Sequence, residues 1–322
     1  MITVGDLSVS LDKREAGANL DFVSHAHSDH ISSIKSSKSV FASDITIDLI
    51  ETIHERRVQR SSEVPQNLRL INAGHIFGSK QIVISDENRG EKIAYTGDFN
   101  LQESRACEKI EIEEADIVIV DSTYPHPEVQ FEDRGETELA IQKWTGSRLA
   151  QGIVLFGAYA LGKSQEIISI LNQDNIVPVV NKKISRISKV YQKNGMKLDY
   201  ASMHDDRNDR DQLVRGNFVG IVEPYMLDTI AAQLKSVYNK RVFTAVATGF
   251  AEMMEFGTDA QFPLSDHADF KQTVDYIDAT GAKKVYTRGS AAKELAENLS
   301  EKGYGASVYD NIIARTAKTI IR

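Results

Sequence analysis

The chain is 322 residues long, enough for two domains of ordinary size, and its 41% hydrophobic and 26% charged residues match a soluble globular balance. A formal net charge of −8 supplies no bulk pull toward nucleic acid and leaves only a local basic groove for that role. The single cysteine, Cys107, excludes an internal disulfide; no apolar run reaches the ~20 residues of a membrane helix and no secretory leader pattern is visible, so a cytoplasmic protein is expected.

In chain order, the first 125 residues alternate short β-rich runs with polar turns. SVSLD (8–12), LDFVSH (20–25), NLRLINAG (67–74), KQIVISD (80–86), EKIAYTGD (91–98) and ADIVIVDS (115–122) read as strands, interrupted by one helical stretch over 45–57. From about residue 130 helical segments (136–150, 163–172, 182–193, 225–236) alternate with GIVLF, IVPVV, NFVGIVE and RVFTAVATG, the pattern of an α/β unit with a largely parallel sheet. The polar stretch 204–212 reads as an exposed loop or a helix start. The last 60 residues return to short strands and helices, among them FKQTVDYIDATG, AKKVYTR and AKELAENLSEKG.

Three of the eight histidines fall within HAHSDH (25–30), just past the apolar strand LDFVS. Imidazole and carboxylate are the ligands that zinc and similar ions prefer, so His25, His27, Asp29 and His30 are candidate metal ligands. His75, Asp98 and Asp121 occupy the ends of three further strands, and Asp12 ends SVSLD. Loops at strand ends can converge on one point, which makes this recurrence informative.

GAYALGKS (157–164) matches the phosphate-cradling loop Gly-x-x-x-x-Gly-Lys-Ser and follows an apolar run. A nucleotide hydrolase built on that loop needs a magnesium-binding carboxylate on a strand, normally after it. Here the best candidate, DIVIVD, lies before the loop.

HAHSDH, AGHIFGS, YTGDF and the Asp in VSLD together resemble the metallo-β-lactamase superfamily. DSTY (121–124), ALGKSQE (160–166) and LSDHADF (264–270) narrow the resemblance to its β-CASP branch of nucleases. GHIFGS, ATGF and LSDHADF followed by TGAKKVYTRG look like prokaryotic exonuclease-like proteins related to mRNA 3′-end processing factors. The resemblance spans nearly the whole chain. It implies an α/β fold: an αββα metallo-β-lactamase sandwich from residues 1–130 and 250–322, with an inserted β-CASP α/β domain over 131–249. In that branch the GKSQE position is usually GRxQE at a helix start, which turns the reading away from ATP or GTP.

The resemblance also implies the site. His25, His27, His75 and Asp98 would hold one metal, and Asp29, His30 and a bridging Asp98 a second. Zinc is the expected ion and manganese the alternative. Asp12 would orient a ligand rather than bind metal. Asp29, Asp121 and His267 would serve the reaction, with His267 as general acid paired to Asp121. The family usually has a histidine where this chain has Arg288, and arginine cannot ligate a metal. One tight ion and a weaker second site are therefore expected, with Arg288 and Lys163 as candidates for substrate phosphate. Nothing in the spacing of His126 or His204 supports either as a replacement ligand. Asp266 and Asp269 should point elsewhere or cap the helix from Phe270. Phe250, Met253, Met254 and Phe256 should pack at the domain junction.

The function implied is a zinc-dependent nuclease acting on RNA or single-stranded DNA in a cleft between the two domains, in a chain that could form a homodimer as several relatives do. The alternatives are a β-CASP scaffold or nucleic-acid-binding subunit with little catalysis, a small-molecule metallohydrolase, and a nucleotide binder through GAYALGKS.

Overall fold

The computed structural model describes residues 1–35, 37, 39–203 and 215–309. The chain divides into two compact units, one made of Met1–Glu103, Cys107–Gln130 and His267–Arg322, the other of Ser104–Ala106 and Phe131–Asp266.

The first unit opens with an antiparallel pair, β1 (Ile2–Val4) and β2 (Leu7–Leu11), to which β3 (Leu20–Phe22) and β4 (Val40–Phe41) add in parallel. Helix α1 (Asp44–His54) follows, capped by the Ser43 hydroxyl, which accepts from Thr46 N. A second sheet of six strands holds β5 (Leu68–Asn72), β6 (Lys80–Asp86), β7 (Glu91–Tyr95), β8 (Ile117–Asp121), β15 (Lys284–Arg288) and β16 (Ala306–Val308), in the order β16-β15-β8-β7-β6-β5. β5, β6 and β7 pair antiparallel; β7, β8, β15 and β16 pair parallel.

Strand alternation decides what each face buries. Ile82, Ile84 and Ile119 share one buried cluster with Leu11 and Phe22 of the four-stranded sheet, so the two sheets face each other. Val83, Val118 and Val120 point the opposite way, against Tyr276 and Ile277 of α6 (Phe270–Thr280) and Leu295 and Leu299 of α7 (Ala292–Glu301). Phe99 and Tyr276 meet there with ring centroids 5.0 Å apart. Each such fully buried ring contributes about 1.5–3 kcal/mol.

The second unit is the α/β body that the alternation after residue 130 predicts. Its strands are β9 (Ile153–Gly157), β10 (Val179–Val180), β11 (Ala201–Ser202), β12 (Val219–Val222), β13 (Val242–Ala247) and β14 (Ala260–Phe262). They run in the order β11-β10-β12-β9-β13-β14, every neighbouring pair parallel. Its described helices are α2 (Arg134–Leu149), α3 (Lys163–Asn172), α4 (Lys182–Lys193) and α5 (Leu227–Tyr238). All of β9 is buried because both its faces are covered, Ile153 and Leu155 by Leu227 and Ala231 of α5, Phe156 by Trp144 of α2. That is why GIVLF reads as a continuous apolar run rather than an alternating one.

The first unit resumes at His267, because β14 pairs with β13 and keeps 250–266 with the parallel sheet. Phe250, Met253, Met254 and Phe256 are 38–56% exposed rather than packed away. His204 and the polar stretch 204–212 lie outside the described residues. Among the described residues, no helix is long and apolar enough to cross a membrane.

Candidate metal centre

Asp12 follows β2 in the left-handed region (φ 56°), a conformation an aspartate tolerates better than most residues. Its buried carboxylate accepts from Ser24 N at 2.6 Å, the Ser24 hydroxyl at 2.8 Å and the Tyr95 hydroxyl at 2.6 Å. It also meets His30 Nδ1 at 2.8 Å, which fixes the ring with Nε2 facing Asp98 Oδ1 at 3.3 Å. Ser24 Oγ lies 3.0 Å from His25 Nδ1, so the same carboxylate orients a second ring through one hydroxyl. Burial alone would raise Asp12, but the adjacent His30 and these donors hold its carboxyl below the usual range.

Four ligand atoms converge inside this frame. His27 Nδ1 lies 3.0 Å from His25 Nε2 and 3.1 Å from His75 Nε2, and Asp98 Oδ2 lies 3.5 and 3.6 Å from those two nitrogens. A neutral imidazole has one donor and one acceptor, so three ring nitrogens turned on one point cannot all satisfy one another. Tetrahedral zinc with bonds of roughly 2.0–2.1 Å separates its ligand atoms by about 3.3 Å. The residues therefore fit a divalent cation. Burial and the neighbouring rings push His25 well below its ordinary pKa, which keeps its nitrogen unprotonated. Asp98 is raised to about 7 by burial and by the charge of Asp121.

The histidine of LSDHADF joins this cluster from 146 residues beyond its partner. His267 Nδ1 lies 3.1 Å from Asp121 Oδ2, and its Nε2 lies 3.9 Å from Asp98 Oδ2. Asp121 ends β8, and its other oxygen accepts from Ser122 N and the Thr123 hydroxyl. Burial would raise Asp121, but the bond to and charge of His267 lower it. The metal-ligand geometry also admits a second set, Asp98, Asp121 and His267. Asp29 is the most open of the candidates, its side chain 78% exposed and 3.5 Å from His30 Nε2.

Sequence reading missed the residue that ties these loops together. Asn100, 2% exposed, donates its N–H to Ala73 O at 3.1 Å and its Nδ2 to His267 O at 3.2 Å, while Ala268 N donates to Phe99 O at 2.7 Å. The loops carrying His75, Asp98 and His267 are thereby stitched at one place. The only sequence signal was its position two residues after Asp98. Asp269 caps α6 as expected, accepting from Gln272 N at 2.8 Å.

Arg288 and Lys163 both make close contacts within the protein. The Arg288 guanidinium donates through Nη2 to Leu11 O at 2.5 Å and lies over the rings of Tyr95 and Tyr309 at 5.3 and 5.5 Å. It is committed to the protein beside the Asp12 anchor. Lys163 is 3% exposed, its Nζ bonded to Glu166 Oε2 at 2.9 Å and Asp266 Oδ1 at 2.6 Å. GAYALGKS sits between strand β9 and helix α3, and its lysine is enclosed by two carboxylates. His126, 45% exposed, lies by Glu128 and Glu294, and His54 is exposed on α1.

No protein-family model matches the chain. It is 30% identical over 300 residues to a probable DNA ligase of Opitutus terrae, a match covering 88% of this chain and 28% of that protein. It is 30% identical over 180 residues to an RNase J-like protein of Methanocaldococcus jannaschii, covering 47% of this chain and 42% of the relative. The chain thus spans less than half the length of these curated relatives. A crystal structure of a protein of unknown function from Enterococcus faecalis superposes with a TM-score of 0.58 at 11% identity, covering 91% of this chain and 80% of that one, a likeness of fold alone. With HAHSDH, Asp98 and the His267–Asp121 pair gathered in one site, these relationships show that the chain's homologues are members of the β-CASP branch of the metallo-β-lactamase family.

Proposed function

We propose that the protein is a zinc-dependent nuclease that hydrolyses phosphodiester bonds of RNA or single-stranded DNA. The observation that carries this reading is the convergence of His25, His27, His75 and Asp98 at 3.0–3.6 Å beside the His267–Asp121 pair. The facing sheets and flanking helices of the first unit support an αββα sandwich, with the parallel α/β unit as the inserted domain. His25, His27, His75 and Asp98 would hold one cation tightly. Asp29, His30 and Asp98 would hold a second more weakly, because Arg288 replaces the histidine that completes this set in relatives. A cation held there would supply Lewis acidity toward the phosphoryl oxygens and toward the attacking water.

The chain's own residues then handle the protons. His267 donates from Nε2 to the departing oxygen, while Asp121 accepts from Nδ1–H and stabilises the charged ring. Asp98 faces both His30 and the ligand nitrogens, so it would belong to both sets. The name of the RNase J-like relative supports RNA, whereas the probable DNA ligase, matched over more of this chain, makes DNA the first substrate to test.

The test is hydrolysis of matched RNA and DNA single strands by the zinc- or manganese-loaded chain, with metal content measured alongside. Activity on either strand that is lost in both Asp98→Asn and His267→Ala supports the nuclease. No hydrolysis of any strand with either metal overturns it in favour of a binding scaffold.

A further inference from the structure

Four charged side chains in the second unit, three buried and one (Asp266) partly buried, have no part in the chemistry above. They are Arg134 at the start of α2, Lys163 and Glu166 in the first turn of α3, and Asp266, the last residue of the unit. Arg134, Lys163 and Glu166 are 6%, 3% and 1% exposed. Arg134 donates through Nε to Glu166 Oε1 at 2.7 Å, through Nη2 to the same oxygen, and through Nη1 to Ser265 O at 2.8 Å. Its Nη2 also lies 3.3 Å from Asp266 Oδ1, the oxygen that Lys163 Nζ contacts at 2.6 Å. Ser104 Oγ adds a bond to Glu166 at 3.0 Å.

Two cations and two carboxylates make a neutral cluster. Such buried networks add little net stability, because desolvation offsets the attraction, but they impose geometry. A lysine in the first turn of a helix also opposes the helix dipole, so Lys163 stands there against local preference. Burial would raise Asp266, yet the Lys163 and Arg134 charges hold its carboxyl below the ordinary range.

What the network fixes is the segment that enters His267. Ser265 is gripped through its carbonyl and Asp266 through its carboxylate, and the next residue in the chain is His267. On its other side His267 O and Ala268 N are held by Asn100 and Phe99. We infer that Lys163 and Arg134 are positioning residues for His267, acting through Asp266 and the Ser265 carbonyl to fix where the imidazole stands. The motif that resembles a phosphate loop thus holds a proton donor in place instead of binding nucleotide. The inference rests on His267 being the proton donor of the proposed nuclease.

A displacement of about 1 Å of a reacting group costs roughly 100-fold in rate. The test uses the full, metal-loaded chain, Lys163→Gln, His267→Ala and the double variant, on two phosphodiesters. One is an unactivated dinucleotide, whose leaving alkoxide needs a proton. The other is a nucleoside p-nitrophenyl phosphate, whose phenolate does not. Lys163→Gln is expected to lower kcat on the dinucleotide roughly 10–100-fold, with KM and metal content unchanged and little loss on the nitrophenyl ester. In the His267→Ala background it should cost nothing further, as for residues acting as one unit, and Lys163→Arg should recover most of the rate. Losses that multiply in the double variant, or that fall equally on both esters, overturn the inference while leaving the nuclease intact. Should Lys163→Gln fail to fold, Asp266→Asn, which leaves Lys163 paired with Glu166, passes through the same cycle. A His267→Ala variant that cleaves both esters at the wild-type rate removes the proton donor itself, and the positioning role with it.

Discussion

Asp98 is the residue on which the centre turns, since its Oδ2 faces His25, His75 and His267 while Oδ1 faces His30. Asp12 works one step further out, holding His30 directly and His25 through Ser24. Asp12→Ala is therefore expected to weaken metal retention by roughly 10–100-fold, the effect of removing an outer partner of a ligand. Chelator titration followed by metal analysis checks it, and unchanged affinity contradicts the orienting role. His30 supplies a second prediction. Burial lowers its pKa, but the carboxylates of Asp98 and Asp12 more than reverse that, raising it to about 10 from an ordinary 6.5. A histidine raised on folding contributes stability that is fully present below pH 6.5 and lost as pH rises toward 10. Thermal melts of the metal-stripped protein should accordingly fall between pH 7 and 10, and His30→Gln should flatten that slope.

The elements matter through their ends. His75 and Asp98 each stand three residues beyond a strand, β5 and β7, and Asp121 closes β8. Gly74 shows how tightly these ends approach one another. At φ 74° it brings its backbone so close to Asn100 that a Cβ would lie 2.3 Å from Asn100 O. Gly90, also left-handed at φ 64°, has nothing within 4 Å of the same position. Gly74→Ala should thus cost clearly more stability than Gly90→Ala, whose penalty is confined to the ~1–2 kcal/mol of backbone strain. Bound metal should fall only in Gly74→Ala. Denaturant melts and metal content of the two variants decide it, and equal penalties would show that the loops do not meet as described.

At the scale of the whole molecule, both candidate ligand sets lie in the first unit, whereas the parallel sheet and the Arg134–Lys163–Glu166–Asp266 network lie in the second. Residues 131–266 expressed alone are expected to unfold cooperatively, with the circular dichroism of an α/β body, and to retain no divalent metal. Metal retention by that fragment would contradict the assignment of the centre. The sequence by itself determined the alternation that builds the parallel unit, because β9 is buried on both faces and its apolar run is continuous. It also determined the ligand candidates of HAHSDH, because residues so close in the chain must stay close in space. Only the tertiary structure decided that Lys163 is enclosed by Asp266, 103 residues away, and that Arg288 turns to Leu11, 277 residues away. It alone also showed that Asn100 binds the His267 carbonyl across 167 residues. Periodicity and spacing report what a residue's near neighbours bury; which charge or carbonyl meets a side chain from the far end of the chain is set by packing, and no local pattern carries it.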